Sequence, residues 1–284
     1  MWHRLSHLVV MATLVACGGG ESESADSADS ATTAAAAAPN VVTFTASDFA
    51  FDAPDTIPAG LTTIRLVNRG PELHHAQLVR FNEGKTLADF MQALQAGGPP
   101  PAWAEEMGGP NPPAPGEESN ATQNLEPGNY AVVCFVDTPD KVPHVAKGMM
   151  KAFTVVPSTS TAGEPAADVT MRLADYTFTL SDSLEAGMQT IRVENAAQQP
   201  HEVFLVQFAP GKSMPDLLKW AETYQGPPPG KPMGGIAAIG SGQHAFFTVT
   251  LTPGEYGLLC FVPDAKDGKP HIAHGMMQTL KVPG

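Results

Sequence analysis

A chain that carries one segment twice is constrained to fold as two copies of one unit, and this chain does so over most of its length. Asp48-Phe49-Ala50-Phe51 returns as Asp175-Tyr176-Thr177-Phe178. Thr63-Ile64-Arg65-Leu66-Val67-Asn68 returns as Thr190-Ile191-Arg192-Val193-Glu194-Asn195. Ala59-Gly60 becomes Ala186-Gly187, His74 becomes His201 and Phe81 becomes Phe208, always 127 residues on. Pro127-Gly128-Asn129-Tyr130 matches Pro253-Gly254-Glu255-Tyr256 at 126. Self-similarity at a fixed period signals duplication. The 284 residues divide into a leader (1–16), a segment 17–39, a first domain 40–157, a linker 158–166 and a second domain 167–284.

Each copy reads as short strands. Thr62, Ile64 and Leu66, like Gln189, Ile191 and Val193, alternate with Arg65 and Arg192 on the opposite face. Residues 73–81 and 202–208 read as strands buried on both faces, and 130–136 and 255–262 as further strand-like runs. Thr86 with Asp89, and Ser213 with Asp216, mark the start of one helix per copy. Gly and Pro number 27 each, which suits loop-rich sandwiches better than helix bundles. The expectation is an all-β chain of two tandem Greek-key β-sandwiches, each with one short inserted helix.

Cys134, His144 and Met149 follow the first strand-like run, and Cys260, His271 and Met276 follow the second. A thiolate, an imidazole and a thioether are the soft donors that copper selects. A trigonal site needs a second imidazole, for which His74 or His75 stands upstream in one copy and His201 in the other. The constant offset pairs His74 with His201 and His75 with Glu202. Neighbouring strand residues face opposite ways, so one of the pair enters the site, and the offset favours His74. Plainer readings exist: the cysteines as small buried hydrophobes, the histidines as hydrogen-bonded core or loop residues, and the methionines as packing, as Met150 and Met277 beside them read. Met107 and Met233 read as loop anchors or as extra soft ligands. A disulfide between Cys134 and Cys260 would join equivalent strands of two separate cores, which should lie far apart.

Each copy resembles a cupredoxin, the blue-copper fold. The features are the strand ending at Asn68 or Asn195 that leads to a His, then Pro-Gly-x-Tyr-x-x-x-Cys, then His-x-x-x-x-Met. The resemblance covers nearly all of both domains. It implies one copper per domain, with His74, Cys134 and His144, and His201, Cys260 and His271, as equatorial ligands. Met149 and Met276 would be weak axial ones. The family generally places its second His a few residues after the Cys; here it comes ten and eleven later. The one-residue difference falls inside the spacer, while Pro-His-x-Ala-x-Gly-Met-Met is kept in both copies. That reads as a loop that leaves and returns, and lengthening such a loop costs only about 0.6 kcal/mol per doubling.

The third cysteine has its own context. Arg4 precedes an apolar run, 8–15, too short to span a bilayer and typical of a signal peptide. Leu14-Val15-Ala16-Cys17-Gly18 resembles the lipobox of bacterial lipoproteins, which implies cleavage before Cys17 and lipid on its thiol. Residues 18–39 are small, polar or Ala, and as a coil of ~22 residues they span about 25 Å. The chain is thus expected in the bacterial cell envelope, outside the cytoplasm and lipid-anchored to a membrane. A net charge of -13 repels nucleic acid and suits a basic protein partner or a cation.

The function expected is one-electron transfer by a tethered copper protein, with a redox or copper-transfer partner. A carrier or storage protein binding Cu(I) in an open site is the alternative, and a metal-free binding module the next. An enzyme of the multicopper type reads as excluded. Cys134 lies between Val133 and Phe135, and Cys260 between Leu259 and Phe261, with no His-x-His pair. Of nine histidines, His3 and His7 lie in the leader and four are assigned. His75, His244 and His274 cannot build a trinuclear cluster.

Overall fold

The computed structural model describes residues 37–82, 84–97, 100–223 and 226–284. The leader, Cys17 and most of the tether lie outside the described residues. The first copy contains β1 Asn40–Ser47, β2 Ala50–Asp52, β3 Thr56–Pro58, β4 Gly60–Asn68, β5 Gln77–Phe81, α1 Leu87–Ala96, β6 Ala104–Glu106, β7 Glu118–Leu125, β8 Gly128–Val133 and β9 Met150–Val156. The second contains β10 Val169–Ala174, β11 Thr177–Leu180, β12 Gly187–Asn195, β13 His201–Phe208, α2 Met214–Thr223, β14 Gly230–Ile239, β15 His244–Leu251, β16 Gly254–Leu259 and β17 Met277–Val282. A short 3-10 turn, His144–Lys147 or His271–His274, precedes the last strand of each.

The strands form three sheets. One of five, β3-β9-β8-β5-β6, belongs to the first copy, and one of four, β14-β13-β16-β17, to the second. The third, β11-β10-β12-β15-β7-β4-β1-β2, runs through both. Its halves meet where Phe246 of β15 faces Thr122 of β7. There the Asn120 amide donates to Thr248 O at 2.8 Å and its oxygen accepts from Thr248 N at 2.9 Å.

Alternation decides what each sheet buries. Ile64 and Leu66 of β4 point inward against Leu78, Tyr130, Val132 and Phe153 of the five-stranded sheet. Arg65 between them points out and pairs with Glu118. Ile191, Val193 and Phe247 meet Val203, Leu205, Tyr256 and Leu258 in the same way. The strands expected to be buried on both faces owe their second cover to the helices. Phe90 of α1 packs on Val79, Phe81 and Val133, and Leu217 of α2 on Phe204 and Val206. Thr86 and Asp89 form a reciprocal capping box at the start of α1, and Ser213 bonds Asp216 at α2. The repeated Pro-Gly-x-Tyr places a fully buried tyrosine whose hydroxyl donates four residues back, Tyr130 to Glu126 O and Tyr256 to Thr252 O, both at 2.9 Å.

One strand is shorter than its sequence suggests. β5 begins at Gln77, whereas its counterpart β13 begins at His201. β13 pairs along the ten-residue β14, but the equivalent stretch of the first copy carries Pro110, Pro112 and Pro113, which lack the N–H a ladder needs. Residues 107–113 instead lie along β14 of the other copy. Met107 faces Ile239, Pro110 faces Ile236 and Pro113 faces Met233. The repeated Met-Gly-Gly serves a close approach within each half, to the chain just after the upstream histidine: a Cβ on Gly109 would meet Ala76 O at 2.1 Å, and one on Gly235 would meet Val203 O at 2.0 Å.

Candidate metal centre

Cys134 and Cys260 directly follow β8 and β16, and both are free thiols, fully buried in different cores. The long spacers leave and return. His144 N donates to Val136 O at 2.9 Å, Val145 N to Cys134 O at 2.7 Å, and Asp137 pairs with Pro143. In the second copy His271 N donates to Val262 O at 2.9 Å, Ile272 N to Cys260 O at 3.0 Å, and Pro263 pairs with Pro270. The excursion closes on itself, so each histidine arrives beside its cysteine.

Three donors converge in each half. Cys134 with His74 and His144, and Cys260 with His201 and His271, bring one ligand atom each to within 4.8 Å of one another, and all six residues are buried. In the first site Cys134 Sγ lies 3.5 Å from His144 Nδ1, and His74 Nδ1 lies 3.1 Å from His144 Nδ1. In the second, Cys260 Sγ lies 3.3 Å from His271 Nδ1 and 3.8 Å from His201 Nδ1. Met149 and Met276 are fully buried in the same clusters as the cysteines, and their carbonyls accept from the Cys134 and Cys260 amides at 3.2 Å. Met150 packs under α1, while Met277 is exposed.

The far nitrogens explain why Nδ1 faces inward. His74 Nε2 is 2.6 Å from Asp48, His144 Nε2 2.9 Å from Glu72 and His201 Nε2 3.1 Å from Asp175. A carboxylate there keeps the proton on Nε2 and leaves the Nδ1 lone pair free, the arrangement that orients metal-binding imidazoles. His271 Nε2 is 3.7 Å from Asp264 and makes no hydrogen bond. Asp48 and Asp175 open the repeated Asp-aromatic motif, so the sequence did mark them, as acids conserved between copies and set 26 residues before a ligand candidate. Glu72 and Asp264 are not repeated and carried no such mark.

Burial pushes the His74 and His201 imidazoles down, against the pull of Asp48 and Asp175, and pushes His271 down to about 4. These three rings are therefore neutral at pH 7. Burial pushes the Cys134 thiol up to about 12 and Cys260 also upward. A metal binding there must displace a proton. The donor set fits copper: one thiolate, two imidazoles and a neighbouring thioether. The two lone pairs facing at 3.1 Å in the first site are an arrangement that a bound cation satisfies.

The chain is cupredoxin-like in both halves. His75, the alternative to His74, and its counterpart Glu202 stay outside the donor cluster and bind backbone instead. Met107 and Met233 lie where the halves meet. His244 pairs with Glu164, and His274 with Asp267, two exposed residues clustered with the buried Asp264.

No protein-family model and no curated protein matches the chain. Among solved structures, reduced auracyanin from the photosynthetic bacterium Roseiflexus castenholzii is 25% identical, over 43% of this chain and 100% of that one, with a TM-score of 0.28. A blue copper oxidase from Nitrosomonas europaea is 15% identical over 86% of each chain, TM-score 0.26. A copper-containing nitrite reductase from Thermus scotoductus is 13% identical over 85% of this chain and 61% of that one, TM-score 0.23. Such TM-scores leave the fold to be argued from the chain's own strands and donors. The expectation that the chain is not an enzyme does not stand, because multicopper oxidases, a laccase and a nitrite reductase are among the similar structures. The bare flanks of Cys134 and Cys260 bear only on a relay to further copper ions, not on a reaction at the centre itself.

Proposed function

We propose that this protein binds one copper in each half and passes single electrons, held outside the cytoplasm by lipid on Cys17. The observation that carries the reading is the buried convergence of one thiol and two Nδ1 atoms, built twice from equivalent positions. Copper in such a site supplies a one-electron couple, and thiolate with imidazole suits both of its oxidation states. The chain's part is to hold the donors still. β8 and β16 deliver the thiol, the spacer loop and its 3-10 turn deliver one imidazole, and the carboxylates fix ring orientation. Full burial of all six donors keeps water from the centre, which supports electron transfer over an open carrier site. The acidic chain suits a basic redox partner, with charge steering the encounter.

Copper titration with visible spectroscopy tests the reading. Up to two coppers should bind per chain with an intense thiolate-to-Cu(II) band. Cys134→Ser and Cys260→Ser should each remove part of it. Tight but colourless Cu(I) binding would turn the reading to a carrier, and uptake of neither oxidation state would end it. Release from membranes on Cys17→Ala would test the anchor.

A further inference from the structure

The residues left over when the donors are assigned are not scattered. His75 and Glu202 occupy equivalent positions, each next to a ligand histidine, and each binds the amide of the residue after the cysteine. Phe135 N donates to His75 Nε2 at 2.8 Å, and Phe261 N donates to Glu202 Oε1 at 2.7 Å. Between them stands Asn111, 1% exposed, from the segment that crosses onto β14. Its Oδ1 lies 3.4 Å from His75 Nδ1, and its Nδ2 donates to Glu202 Oε2 at 3.0 Å.

Donors and acceptors match along the whole line. His75 accepts at Nε2, so its proton sits on Nδ1 and points at the Asn111 oxygen. The Asn111 amide then donates onward to the carboxylate, whose other oxygen takes the Phe261 amide. The three side chains of the line are buried, His75 being 8%, Asn111 1% and Glu202 7% exposed, while the more open Phe135 and Phe261 enter it only through their backbone amides. The Asn111 amide is further pinned by Val203 O at 2.9 Å and Ile236 O at 3.2 Å. On the second side Glu202 N also approaches Cys260 Sγ at 3.5 Å.

We infer that the two centres exchange electrons within the chain, through the bridge Cys134–Phe135–His75–Asn111–Glu202–Phe261–Cys260. The inference rests on the copper reading above. Covalent and hydrogen-bonded contact carries an electron better than a gap, and ordered hydrogen bonds in a low-dielectric interior reinforce one another. The step balances by itself: one electron leaves the reduced centre and one arrives at the oxidised centre, with no proton or co-reactant consumed. The bridge is also asymmetric. Asn111 has no polar counterpart, since Ala237 stands at the equivalent place, so each half alone carries an incomplete line.

The test uses the full chain loaded with copper. Cys134→Ser and Cys260→Ser first assign the two visible bands. Sub-stoichiometric reductant is then mixed rapidly with the oxidised protein, and the redistribution of bleaching between the bands is followed. Asn111→Leu, which removes both side-chain links at the middle of the line, should slow that redistribution severalfold, while both bands keep their position and intensity. Glu202→Gln, isosteric and easier to accommodate, keeps one of its two acceptor bonds and should slow it less. Unchanged rates in both variants, with both bands intact, would overturn the bridge and leave the copper reading standing. Absence of bands in the unmodified protein would overturn both. A metal-free check is amide exchange: Phe135 and Phe261 should be protected together, and fast exchange at either breaks the line.

Discussion

The first and second sites share their inward face and differ in their outward one. Cys, His and His repeat with Nδ1 directed at the thiol in both. Behind the rings the partners diverge. His144 is fixed by Glu72 at 2.9 Å, from the loop that leads into β5. At the same offset the second copy has Gln199, which instead donates to Asp264 at 3.1 Å. Asp264 comes from the spacer loop, accepts the Tyr176 hydroxyl at 2.5 Å, and stays 3.7 Å from His271. A ring edge is supplied by Phe49 in one site and by Tyr176 in the other. Duplication kept what determines which metal is held and varied what tunes how tightly.

The largest break in that comparison should come from the ligands. His144→Ala should abolish the first band and spare the second, and His271→Ala the reverse. Loss of both bands in either variant would mean that the sites are not separable. Next come the outer carboxylates. Glu72→Gln gives the first site the side chain of the second, and its copper affinity should fall about 10- to 100-fold in a chelator competition. Asp264→Asn should cost the second site less, because no hydrogen bond to His271 is lost. Equal losses would erase the distinction drawn here.

The contact between the halves has a pH signature. Burial, and then Glu202 across the interface, push the Glu106 carboxyl up from 4.5 to about 7, and burial pushes Glu202 upward as well. Between those two values the folded protein keeps a proton that the unfolded chain has released. The Glu106 contribution to stability therefore falls as pH rises from 4.5 to 7, by roughly 3 kcal/mol at most, and is level above. Glu106→Gln should flatten that slope in denaturant midpoints taken across the window. The smallest effect expected is at Thr86. Thr86→Ala removes half of the capping box on α1 and should cost about 1 kcal/mol in urea unfolding, with both bands unchanged.

Much of this was legible because a repeat lets a sequence be compared with itself. Strand alternation around Ile64 and Ile191, the capped helices and the donor triads all follow from local pattern plus offset. The offset also separated His74 from His75. What it could not supply was anything that breaks the repeat. Asn111 has no polar counterpart, and the acceptors of its Nδ2 lie 91 and more residues away in the other half, with His75 36 residues back in its own, so no local pattern marks it. The prolines at 110, 112 and 113 were readable, but not that they would free this segment to lie against β14. The exclusion of an enzyme failed for another reason. It went from the neighbours of the cysteines and a count of histidines, which bear on a copper cluster alone, to the chemistry of a whole protein.

The sheet that runs through both copies has one more implication. Were the two halves separated, β7 and β15 would each become an open edge, with Thr122, Asn120 and Thr248 offering unpaired backbone or amide groups to whatever strand came near. Each half would then be an adhesive particle, prone to pair with its own kind. Tandem linkage keeps each edge beside the one partner that covers it.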